Sequence, residues 1–118
     1  MINTKADIIE LITSASREIA NRLGENLLSV YLFGSRIRGD HTEDSDLDVL
    51  VIVKTKDIET ANAIIEVMSE IDREVDYLFV TGVLIKEERH ILQEKALNTG
   101  FYRNVSEEGV CVYGTPLT

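Results

Sequence analysis

Between positions 34 and 48 the chain gathers the residue types that handle phosphate and divalent cations. Gly34 closes an apolar run and lets backbone approach a ligand closely. Ser35 adds a hydroxyl donor at what reads as the opening of a short helical turn, where free N–H groups favour phosphate. Arg36 and Arg38 place positive charge beside that turn. Asp46 and Asp48 follow at a spacing of two. On a strand that spacing puts both carboxylates on one face, roughly 6.6 Å apart along the chain. Asp76 falls in the next expected strand and is a candidate for the same face. Two carboxylates that close to about 4 Å repel by about 4 kcal/mol at an effective dielectric near 20. Without a counter-charge one of them takes up a proton. Three such groups with no basic partner on the strands ask for a cation, and oxygen-only ligands select magnesium or manganese over zinc. Phosphate donors beside a divalent-cation site form the parts list of phosphoryl-group transfer, in which a second metal can activate the acceptor hydroxyl.

These residues need a scaffold, and hydrophobic periodicity outlines one. Residues 4–23 carry Ile8, Ile12, Ala15 and Ile19 at helical spacing, with Asn3 or Thr4 as cap and Gly24 as stop. Residues 27–33 and 46–53 are β-rich apolar runs. Residues 57–71 return to helical spacing. A third strand is expected over 74–81, a helix over 82–98, and a short final strand over 109–113. The order helix, strand, strand, helix, strand, helix, strand indicates an α/β (α+β) domain with a small mixed sheet and helices packed mainly on one face. A helix between the second and third strands favours a crossover connection.

The motif Gly34-Ser35, a spacer, then Ser45-Asp46-Leu47-Asp48 and the buried run Val49-Leu50-Val51 resembles the signature of the DNA polymerase beta-like nucleotidyltransferases. The short chain is similar, within them, to the minimal nucleotidyltransferase (MNT) group. The strong resemblance spans 33–53, with a weaker extension to Val75-Asp76-Tyr77-Leu78. It implies the palm-like fold of that superfamily over 1–118 as one domain. It also implies that Gly34, Ser35, Arg38 and Ser45 bind nucleotide, and that Asp46, Asp48 and Asp76 bind Mg2+, two ions, with Mn2+ as a substitute. The implied activity is transfer of a nucleotide, AMP from ATP first in line, to a hydroxyl. MNT proteins often pair with a helical HEPN-type partner, some of them as antitoxins that adenylylate it. Aminoglycoside-type transfer to a small molecule and a non-catalytic binding module are the alternatives.

Composition narrows the partners. The formal net charge of −9 over 118 residues disfavours nucleic acid, since no basic cluster offsets it. One cysteine, Cys111, offers no internal disulfide and fits a reducing cytoplasm. No run reaches the roughly 20 apolar residues of a membrane span, and residues 1–10 lack the order of a signal peptide. His41 reads as a solvated loop residue and His90 as a helix-surface residue. Both faces of the second strand are apolar, with Leu50 and Ile52 beside the aspartates. Three helices are few for two faces, so a second copy or a helical partner is expected to close part of the aspartate-bearing face.

Overall fold

The computed structural model describes residues 2 and 4–117. Helix α1 (Lys5–Leu23) starts at Thr4, whose side chain accepts from the Asp7 N–H while Asp7 reaches back to the Thr4 N–H. This reciprocal box satisfies two of the donors a helix start leaves open. The alternative cap, Asn3, lies outside the described residues. After a 3-10 turn at Gly24–Asn26 the chain enters β1 (Leu27–Phe33) and a four-residue helix, α2 (Ser35–Arg38). Strand β2 (Leu47–Val53) leads to α3 (Ile58–Glu74), capped by Asp57 through the Thr60 N–H. Then come β3 (Thr81–Glu87), α4 (Glu88–Leu97), α5 (Gly100–Glu108) and β4 (Val110–Gly114).

The four strands form a mixed sheet in the order β3-β2-β1-β4. β1 runs antiparallel to both β2 and β4, and β2 runs parallel to β3 across α3. Ile12, Ile19, Val49, Val51, Ile64 and Met68 belong to the larger core, where α1 and α3 cover one sheet face. Strand alternation sends Tyr31, Leu50 and Ile52 to the opposite face, where Ile91 of α4 and Val105 of α5 meet them. Phe33 packs edge-on against Phe101 with ring centroids 5.7 Å apart.

Three expectations are corrected here. The third strand is not 74–81 but Thr81–Glu87. α3 continues to Glu74, and a turn follows in which Asp76 and Tyr77 both have positive φ. The run at 83–85 forms the strand instead, because its register sets Val83 beside Val49 and Ile85 beside Val51. The helix expected over 82–98 begins only at Glu88, and α5 was not expected at all. Gly100 does not stop a helix but opens one, since Thr99 caps it by accepting from the Tyr102 N–H at 3.1 Å. The extra helix alters the third expectation. Leu50 and Ile52 are 0% and 3% exposed within this chain alone, so α4 and α5, not a second chain, cover that stretch of the aspartate-bearing face.

Candidate functional site

The register explains why the motif residues meet. Phe33, the last residue of β1, pairs with Asp48 on β2, so Gly34 arrives beside the Asp48 side chain. On the other side Asp48 pairs with Gly82 of β3. Gly34 has φ 82 and ψ −166, a region essentially reserved for glycine. A Cβ built on it would lie 2.1 Å from Oδ2 of Asp48. A Cβ on Gly82 would lie 3.3 Å from Asp48 Oδ1 and 3.7 Å from Asp46 Oδ2. The two carboxylates therefore gather over Gly82, with Gly34 closing one side.

Electrostatics agree with this crowding. The Asp48 carboxyl is held above its ordinary range, first by partial burial and then by the Asp46 charge, with Arg38 pulling the other way. Asp46 is exposed. An all-oxygen pair in which the Asp46 charge bears on Asp48 is the donor set a hard divalent cation relieves.

Other expected residues fall nearby in different ways. Ser35 opens α2, half-buried, next to Gly34. Arg38 pairs with Asp40 at 3.4 Å and with Glu108 of α5 at 3.5 Å, yet it still acts on Asp48 through its charge. Ser45 Oγ accepts from the Thr42 N–H at 3.0 Å, so its side chain helps to shape the loop. Asp76 is the exception. It sits exposed in the turn after α3, its N–H bonded to the Arg73 carbonyl, and not on a strand. Among the described residues no three His, Cys, Asp or Glu side chains come together as a metal site, so Asp76 does not join Asp46 and Asp48. The β3 positions sharing the aspartates' face are Gly82, Leu84 and Lys86, none of them acidic.

Two residues of the site escaped sequence reasoning. Gly82 falls at the start of the helix expected over 82–98, although a glycine beside β-branched Val83 and Ile85 signals a close approach. Arg36 reads in the sequence as positive charge beside the turn, whereas it bonds the loop leading to Asp46. A groove of about 970 Å³ lies against α2, lined by Lys5, Arg38, His41, Tyr77 and Phe79 among others. Neither aspartate lines it.

Comparison with known proteins fits this geometry. The family model described as polymerase beta, nucleotidyltransferase, matches residues 14–116, and the chain belongs to that family. It is 33% identical over 105 residues to a Methanocaldococcus jannaschii protein provisionally named a protein adenylyltransferase, covering 88% of this chain and 97% of the relative. Among solved structures, a toxin–antitoxin crystallised with AMP-PNP superimposes with a TM-score of 0.52 at 20% identity, covering 87% of this chain and 73% of that one. A spectinomycin adenyltransferase of Enterococcus faecialis, crystallised with ATP and spectinomycin, superimposes with a TM-score of 0.68 at 19% identity. That match covers 96% of this chain and 57% of the other. At these identities the two structures share the fold. The chain is thus a nucleotidyltransferase by family, and among the described residues no helix is long and apolar enough to cross a membrane.

Proposed function

We propose that this protein transfers AMP from ATP to a hydroxyl on another protein, in the cytoplasm, and that a HEPN-type partner is the acceptor. In the reaction the acceptor oxygen bonds to the α-phosphorus, the bond from that phosphorus to the bridging oxygen breaks, pyrophosphate leaves, and the hydroxyl proton passes to solvent or a base. The observation that carries this reading is the packing of the Asp46 and Asp48 carboxylates against Gly34 and Gly82. It puts paired acids at the mouth of the Gly34-Ser35 turn. Asp46 and Asp48 would hold magnesium, which would supply charge neutralisation at the phosphate oxygens during the transfer. Two carboxylates suffice for an ion that commonly completes its shell with waters and substrate phosphates. Ser35, with the backbone around Gly34, would receive the triphosphate, and Arg38 would add charge to it on leaving Asp40 or Glu108. Ser45 supports the loop and directly precedes Asp46 in the chain.

The protein acceptor is supported by the name of the M. jannaschii relative, which the chain matches over nearly its whole length. The HEPN-type partner is supported by the MNT-like motif and by the fold shared with a toxin–antitoxin. Co-expression with the protein of the neighbouring gene, then incubation with ATP and magnesium, tests both. Intact mass should show that partner gaining one or more adenylates, and neither Asp46→Asn nor Asp48→Asn should support the gain. A tight complex with no mass gain, unaffected by those substitutions, would instead favour a binding module.

A further inference from the structure

The eight-residue stretch between α2 and β2 has no helix or strand of its own, yet it delivers Asp46 to the site. Its carbonyls converge on one side chain. Arg36 Nε donates to the Ser45 carbonyl at 2.8 Å, and its Nη2 lies 3.4 Å from the Thr42 carbonyl and 3.3 Å from that of Glu43. Behind, the guanidinium stacks 5.5 Å from the ring centre of Phe79, which is 3% exposed and part of the main core. The chain carries 21 acids against 12 Lys and Arg, so a carboxylate partner would be easy to find. Among the described residues Arg36 has none within ion-pair distance, and it bonds three backbone carbonyls instead. A planar fork with five donors suits that task, and an ammonium does not.

Asp46 has no side-chain hydrogen bond of its own among the described residues. Its place is set by its neighbours, with the Ser45 carbonyl held by Arg36 and the Leu47 N–H held by the Val80 carbonyl at 2.9 Å. We propose that Arg36 is a positioning residue that clamps the loop 42–45 and thereby fixes the Asp46 carboxylate for cation binding. The inference rests on the metal role of Asp46 proposed above.

Sign separates this role from a simple field effect. Removing a positive charge beside a cation site strengthens cation binding, whereas removing a clamp that orients a ligand weakens it, commonly by about 10–100-fold. Titration of the full chain with Mn2+, followed by electron paramagnetic resonance or calorimetry without nucleotide, reads the difference. Arg36→Ala should bind Mn2+ about 10-fold or more weaker than the parent. Arg36→Lys, which keeps the charge and loses the fork, should fall on the same side. Amide hydrogen exchange at 42–46 should speed up in both variants while that of β1 and α1 stays put. Unchanged or tighter Mn2+ binding in Arg36→Ala, or full recovery in Arg36→Lys, would overturn the proposal. If the parent chain binds no Mn2+, the metal reading fails. Exchange then decides the clamp alone, and unaltered exchange at 42–46 overturns it.

Discussion

Replacing Gly34 by alanine perturbs two things that can be separated. The backbone at φ 82, ψ −166 costs a residue with a Cβ about 1–3 kcal/mol. For a chain of this size each kcal/mol lowers Tm by about 4 °C, so Gly34→Ala should melt roughly 4–12 °C below the parent. The new Cβ would also stand 2.1 Å from Asp48 Oδ2, and an ordinary contact begins at 3.4 Å, 1.3 Å farther out. Asp48 must therefore move by about that much, and a displacement of about 1 Å at a reacting centre can cost about 100-fold in rate. Gly39 supplies the control. It too has positive φ, at 95, but nothing lies within 4 Å of a Cβ built there. Gly39→Ala should lose about 1–2 kcal/mol of stability from backbone strain and keep its transfer rate within a few-fold. Thermal melts followed by nucleotidyl-transfer rates below both midpoints give the comparison. A folded Gly34→Ala with near-parental rate, or a Gly39→Ala equally impaired in rate, would refute the reasoning that Gly34 is there to admit Asp48.

Further outcomes follow from the same geometry. The folded Asp48 carboxyl has its pKa raised above the ordinary value of 3.8, so its contribution to stability is fully present below that value and is lost as pH rises through the folded pKa. Without divalent ions Asp48→Asn should therefore melt higher than the parent at neutral pH. The gain should shrink as pH falls toward 3.8; a constant offset across that window would contradict the shift. Asp76→Asn should keep Mn2+ affinity close to the parent's, whereas Asp46→Asn should lose it; equal losses by titration would return Asp76 to the site. Ile91→Ala, at a position 2% exposed on the aspartate side of the sheet, should cost about 2–5 kcal/mol in urea unfolding. Leu92→Ala next to it, 54% exposed, should stay within about 0.5 kcal/mol.

The first half of the fold is legible in the sequence because its periodicities are unambiguous. Ile8, Ile12, Ala15 and Ile19 can only line one helix face, and the β-rich runs at 27–33 and 47–53 are bounded by Gly24, Gly34 and the acidic loop. The stretch from 72 to 108 is harder, because it holds two strand-like runs, 75–80 and 83–85, competing for the place beside β2. Local propensity does not rank them, and pairing with Val49 and Val51 does. α5 is hidden for a similar reason. Gly100 looks like a terminator until Thr99 is seen to cap the turn that begins there. For the site, the spacing of two puts Asp46 and Asp48 on one side of the chain, and the register that sets Phe33 opposite Asp48, which only the structure gives, brings Gly34 to them. Asp76 was assigned through a strand the chain does not form. Gly82 and Arg36 act through contacts to backbone and to a neighbouring carboxylate, which no residue spacing encodes.

Adenylyl transfer that depends on Asp46 and Asp48 is set apart from other phosphate chemistry by ATP labelled separately at the α and γ phosphates. With the co-expressed neighbouring-gene protein and magnesium, that partner should acquire the α label and not the γ label, and Asp46→Asn or Asp48→Asn should abolish the transfer. Incorporation of the γ label, or α-label transfer that survives both substitutions, would contradict it.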